Sequence, residues 1–139
     1  MADEYAGDIP PKQAWEILQT QGDSVLIDVR TDAEWLYVGM PDLGPLKKEP
    51  VKISWQVFPA MNINPQFVDL VKNASPNPDA PILFLCRSGV RSKSAAIALT
   101  QAGYKACYNI AEGFEGDKDA ANHRATVGGW KVAGLPWKQ

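Results

Sequence analysis

The sequence lacks any apolar run near the roughly 20 residues a bilayer-spanning helix needs. Its first residues, Met1-Ala2-Asp3-Glu4-Tyr5, are acidic where a secretory signal would be basic and then apolar. A cytoplasmic location and no membrane partner are the expectations. An excess of charge is also missing: 14 Lys and Arg against 16 Asp and Glu leave a formal charge of -2, with no basic stripe. That excludes the electrostatic footprint of a nucleic-acid partner. Two cysteines are too few for the disulfide framework of a small secreted domain, so both are expected as thiols in a reducing compartment. Asp117, Asp119 and Asn122 begin like a calcium loop. The required sixth-place glycine is Asn122 and the twelfth-place glutamate is Gly128, so no metal is expected there or elsewhere.

What is present is the length and composition of one compact domain, residues 1–139, with 45% hydrophobic and 22% charged residues. Glycines, prolines and capping residues divide it into alternating helical and strand-like pieces, the pattern of a βαβ architecture with a mostly parallel sheet. An edge strand is expected near Tyr5–Ile9, then a helix from Pro10-Pro11 with Ala14, Ile17 and Leu18 inward and Gly22 as its stop. Val25–Val29 reads as a buried strand. Thr31 and Glu34 make a capping box for a short helix from Asp32 toward Tyr37, ending at Gly39. A strand follows at Val51–Ser54. Asn64 and Pro65 should start a helix with Phe67, Leu70, Val71 and Ala74 as its apolar face. Pro81–Leu85 is a continuous apolar strand, Ser92–Ala102 an alanine-rich helix, and Ala106–Ile110 a last strand before a glycine-rich tail.

Cys86 falls where a buried strand gives way to a helix, the position at which open α/β sheets bind ligands. The amides of residues 87 to 92 can curl around its sulfur, and the helix beginning near Ser92 adds about half a positive charge at its N-terminus. With Arg87 and Arg91 these groups favour the thiolate, the nucleophilic form of cysteine. The same donors suit a small divalent anion, because arginine presents forked donors and the loop fixed dipoles. Gly89 permits the tight backbone of such a cradle. The plain alternative is a structural cysteine. Six small or polar residues, two of them arginines, argue against it.

Leu26-Ile27-Asp28-Val29-Arg30-Thr31 with Glu34-Trp35, then Cys86-Arg87-Ser88-Gly89-Val90-Arg91-Ser92, Ala102-Gly103-Tyr104 and Gly134-Leu135-Pro136-Trp137 resemble the successive motifs of rhodanese domains. The resemblance runs from about Ile9 to Trp137. It implies a three-layer α/β fold, about five mostly parallel strands flanked by helices. It also implies Cys86 as the persulfide-forming residue, with Arg87, Ser88, Gly89, Val90, Arg91 and Ser92 binding a small sulfur-containing anion. Asp28 and Arg30 match positions that support the loop. The residues themselves suggest that Arg30 pairs with Glu34. The chain departs from the family pattern in three places: Gly39-Met40-Pro41 lacks a histidine, Glu112-Gly113 replaces a glycine pair, and a stretch at about 117–128 is inserted.

The activity implied is transfer of a sulfane sulfur from a donor such as thiosulfate to a thiol or cyanide, with no organic cofactor. A protein sulfur acceptor is a further candidate partner. A dedicated persulfide carrier or partner-binding module is the alternative from another class. A cysteine phosphatase is less favoured, because Arg91 follows Cys86 after four residues where that chemistry wants five. His123 in the inserted stretch could reach the sulfur, with a surface role favoured. Cys107 reads as a core residue, with a resolving thiol as the sharper alternative, and Trp55 or Trp130 could border the cleft.

Overall fold

A computed structural model describes residues 4–57 and 62–139. Five strands, β1 (Gly7–Ile9), β2 (Val25–Asp28), β4 (Val51–Lys52), β7 (Ile82–Leu85) and β8 (Cys107–Ile110), form one sheet in the order β1-β8-β7-β2-β4, with every pairing parallel. Its helices are α1 (Pro11–Thr20), α2 (Asp32–Tyr37), α3 (Phe67–Ala74) and α4 (Val90–Gln101). Two short antiparallel pairs complete the architecture: β3 (Met40–Pro41) with β9 (Trp137–Lys138), and β5 (Gln56–Val57) with β6 (Asn62–Ile63). The expected three-layer α/β fold is what forms, including the edge strand at the N-terminal side.

Side-chain alternation along the central strand separates the two layers of core. Ile82, Phe84 and Cys86 point to one face, with Ile27, Phe67, Val71, Ala95, Ala96 and Leu99 from β2, α3 and α4. Leu83 and Leu85 point to the other, with Leu26, Ala14, Leu18, Phe114 and Trp130. Period-two alternation on a sheet buried on both sides is why β7 reads as an unbroken apolar run.

Several boundaries differ from the sequence expectation. Helix α4 begins at Val90, one turn ahead of its alanines, because Gly89 at φ +111° turns the chain directly into it. Helix α3 begins at Phe67, since Asn64 Oδ1 accepts the amide of Gln66 at 3.0 Å and closes a turn before the helix rather than capping it. Leu70 and Ala74 are exposed, so α3 is anchored by Phe67 and Val71. Gly22 is not a left-handed stop: α1 closes on an extended Gln21 whose amide donates to Ile17 O. The glycine-rich tail is well packed, with Trp130 fully buried, its indole donating to Pro136 O at 2.7 Å and its ring edge-on to Trp15. Trp55 packs edge-on against Phe67.

From β2 the chain crosses outward to β4, then returns to the centre at β7 and crosses the other way to β8. The carboxyl ends of β2 and β7 therefore form the topological switch point of the sheet, where a crevice opens. Asp28 to Arg30 leave one strand there and Cys86 leaves the other.

Candidate active site

Cys86 is almost fully buried, and its sulfur lies inside its own loop. Gly89 N donates to Cys86 Sγ at 3.0 Å, and Ser92 Oγ is 3.2 Å from it. Gly89 is the N-cap of α4 and has no side chain to cap the first turn, and its own amide is the one that donates to the sulfur. Val90, Arg91 and Ser92 form the first turn, whose amides have no intrahelical partner. Arg87 and Val90 are exposed, Ser88 and Gly89 half-buried, and Ser92 buried.

The loop is held from outside by the chain that follows β8. Phe114 N donates to Cys86 O at 2.8 Å, and the amides of Glu115 and Gly116 donate to Arg87 O. This approach demands glycine at 113: φ is +61°, and a Cβ there would stand 2.5 Å from Cys86 O and 2.6 Å from Arg87 O. Glu112 adopts φ +68°, and its Oε1 accepts Gly129 N at 2.8 Å. That hydrogen bond is the use of the carboxylate at this position: it ties the far end of the 117–128 stretch to the chain bracing the loop.

Arg91 donates two hydrogen bonds to Glu34, Nη1 to Oε1 at 2.8 Å and Nη2 to Oε2 at 2.9 Å. Burial pushes the Glu34 carboxyl up, but Arg91 together with Thr31 outweighs it, so the carboxyl stays below its ordinary range. Thr31 N donates to Glu34 Oε1 at 3.2 Å, the reciprocal half of the expected capping box. Glu34 thus clamps α2 to α4 beside the loop.

Arg30 does not pair with Glu34. It folds back onto Asp28, Nε to Oδ1 at 2.9 Å and Nη2 to Oδ2 at 2.7 Å, and both side chains are completely buried. The reason is geometric: β2 ends at Asp28, so the two residues flank one bend, while Glu34 is captured by Arg91. Arg30 Nη2 also donates to Gly39 O at 2.7 Å, and its guanidinium lies 4.4 Å over the Phe114 ring. Phe114, under that guanidinium, is the residue whose amide donates to Cys86 O, so the buried pair packs against the chain that follows β8. Arg30 Nη1 has no partner among the described residues.

Cys107 is remote from this centre. It pairs with Ile82 across β7 and β8, and Cys86 lies four residues further along, about 13 Å at a strand's rise of about 3.3 Å per residue. A disulfide needs Cα atoms within about 7 Å. Burial pushes the Cys107 thiol up to about 11, which keeps it protonated and inert. His123 is exposed in a stretch organised around Asp119, whose Oδ1 accepts the amides of Ala121 and His123 and whose Oδ2 accepts the Thr126 hydroxyl. Among the described residues no cluster of side chains suited to a metal occurs, and no helix is long and apolar enough to cross a membrane.

Sequence reasoning missed Asn109, Asp8 and Gly113 as neighbours of the loop. Asn109 did carry a signal, since an amide inside the apolar strand Cys107–Ile110 has to find buried partners. Asp8 and Gly113 carried none, because only folding brings β1 and the turn after β8 against this loop.

A five-stranded parallel sheet flanked by helices on both faces is the fold of the rhodanese-like class. The fold is shared with the rhodanese-like domain protein of Staphylococcus aureus, at a TM-score of 0.52 and 20% identity over 77% of this chain and 86% of that one. The chain belongs to the STR4 middle domain family, whose model matches residues 7–139. The crystal structure of Rv0390 from M. tuberculosis superimposes with a TM-score of 0.88 and 45% identity, covering 97% of this chain and 98% of that one. The uncharacterized protein RC0915 of Rickettsia conorii is 40% identical over 126 residues, 91% of this chain and 92% of that protein. The thiosulfate sulfurtransferase GlpE of Actinobacillus pleuropneumoniae is 26% identical over 129 residues, 93% of this chain and 90% of that protein.

Proposed function

We propose that residues 1–139 act as a single-domain sulfurtransferase that moves a sulfane sulfur, from a donor such as thiosulfate, through a persulfide on Cys86 to a thiol or cyanide. The observation that carries this reading is the sulfur of Cys86 held between Gly89 N and Ser92 Oγ at the N-terminus of α4. In the first step the thiolate attacks the outer sulfur of thiosulfate. The new bond joins Sγ to that sulfur, the old sulfur–sulfur bond breaks, and its electron pair leaves with sulfite. In the second step the acceptor attacks the outer sulfur of the persulfide and the thiolate is regenerated; with cyanide the product is thiocyanate.

The exposed guanidinium of Arg87 and the first-turn amides of α4, with Ser88, Gly89 and Val90, form the anion-binding face of the loop. Arg91 contributes its charge while anchored by Glu34, and Ser92 contacts the sulfur. Asp28 and Arg30 act as supports. A persulfide delivered to a partner protein is the second reading, favoured by the exposure of Arg87 and Val90 on the loop's outer side. A cytoplasmic setting, with reduced cysteines, suits either.

Intact mass spectrometry tests the proposal. Incubation with thiosulfate alone should leave a protein one sulfur heavier, with the addition mapped to Cys86 and removed by cyanide at a catalytic rate. Cys86→Ser should abolish both while the fold stays cooperative. Loading only from a protein donor would identify a carrier, and no loading from any sulfane donor would overturn the enzyme.

A further inference from the structure

A file of hydrogen-bonded side chains reaches the Cys86 sulfur from outside its loop. Tyr5 donates to Asp8 Oδ1 at 2.8 Å, and Asn109 Nδ2 donates to the same oxygen at 2.9 Å and to Gly89 O at 3.1 Å. Asn109 Oδ1 then lies 2.5 Å from Ser92 Oγ, which is 3.2 Å from Cys86 Sγ. Burial and Asp8 push Tyr5 up to about 12, so its hydroxyl remains a donor.

What each atom can do fixes the direction of this file. A carboxylate and a carbonyl only accept, so the amide nitrogen of Asn109 has to face Asp8 and Gly89 O, and its oxygen has to face Ser92. The Ser92 hydroxyl owns one proton, and two acceptors compete for it, Asn109 Oδ1 and the sulfur. The 2.5 Å contact to Asn109 Oδ1 is shorter than the 3.2 Å one to sulfur and oxygen is the better acceptor, so the competition for the proton favours Asn109. Ser92 therefore turns a lone pair toward the sulfur. A lone pair accepts the S–H of a thiol and repels a thiolate.

We propose that Asn109 is a positioning residue that restrains ionisation of Cys86 by holding the Ser92 hydroxyl away from the sulfur. A carboxamide does not hand protons on, so the file sets orientation and carries no proton current. Turning the Ser92 proton to the sulfur instead would leave Asn109 Oδ1 without a donor. The inner sulfur of a persulfide carries no charge, so the same arrangement tolerates it. Given the persulfide chemistry proposed above, on which this consequence rests, Asn109 weights the cycle toward the loaded form.

The charges around the sulfur are Arg87 in the loop, Arg91 on α4 with Glu34 on α2, and Asp28 with Arg30 at the end of β2. Asp8 and Asn109 line a groove of about 530 Å³ with Lys93 and Glu112. The variants below leave all of these charges in place.

The test reads ionisation of Cys86 without any sulfur transfer, so it stands apart from the test of function. Ultraviolet thiolate absorbance is titrated for each variant against its Cys86→Ser counterpart. Asn109→Leu, nearly isosteric, frees the Ser92 hydroxyl for the sulfur and should lower the midpoint by about one pH unit. The Ser92→Ala, Asn109→Leu double variant should match Ser92→Ala, because Asn109 acts only through Ser92. Asn109→Ala removes the same acceptor without adding bulk and serves where the leucine does not fold. An unchanged midpoint in the Asn109 variant, or an equal shift without Ser92, overturns the proposal.

Discussion

Asp28 and Arg30 are two residues apart, both wholly buried, and each is the other's counter-charge. Removing one member of such a pair leaves an uncompensated charge in the core, which costs about 3–5 kcal/mol. Asp28→Ala should therefore lower the unfolding free energy by that amount, read as a fall in the urea midpoint at unchanged slope. The Asp28→Ala, Arg30→Met double variant should recover much of it, since replacing both partners by apolar groups of similar volume is close to neutral. A double variant as unstable as the single one would mean that the bonds of Arg30 to Gly39 O and Phe114 outweigh the pair itself. The resemblance singled out Asp28 and Arg30 in the sequence as expected loop supports. Their pairing with each other was not legible there, because the choice between Asp28 and Glu34 depends on where β2 ends and on Arg91 arriving from α4.

At the scale of elements, the clamp between α2 and α4 is a single carboxylate. Glu34 caps its own helix through Thr31 and binds Arg91 on another, and its folded pKa lies below the ordinary 4.5. A lowered carboxyl pKa contributes stability that is fully present above the unfolded value and fades as pH falls through the folded one. Glu34→Gln should thus be less stable than the parent at neutral pH, and the difference in denaturation midpoint should close at pH values well below 4.5. A gap that persists in acid would show that Glu34 acts through packing and not through its charge. The capping box was legible because both of its members lie within one turn of sequence. The partner on α4, 57 residues away, was not.

Across the whole molecule, the 117–128 stretch leaves the body at Gly116 and returns at Gly128. The two meet so closely that a Cβ on Gly116 would lie 2.3 Å from Gly128 O. Between them no residue from 117 to 127 is buried, the hydrogen bonds of Asp119 are internal to the stretch, and its ties to the body are Ala125 N to Glu115 O and Arg124 Nη1 to Gly116 O at its base. Replacing residues 117–127 by a short glycine linker should therefore leave a cooperative fold with a nearly unchanged thermal midpoint. Sulfur loading on Cys86 should survive as well, since Glu112 and Gly129 remain to close the base. Loss of loading in a folded variant would make the stretch part of the binding face.

The sequence by itself determined the alternation of strands and helices, the sheet's double burial, and the place of Cys86 between the central strand and the following helix. These are local properties: side-chain period, glycine and proline punctuation, and a run of small and polar residues after a buried strand. Tertiary structure alone decided which charge pairs with which, that Asn109 turns its oxygen to Ser92, that Cys107 lies at the opposite end of β7 from Cys86, and that only glycine fits at 113. Each of these depends on the strand order β1-β8-β7-β2-β4, which brings segments a hundred residues apart into contact and which no local pattern encodes.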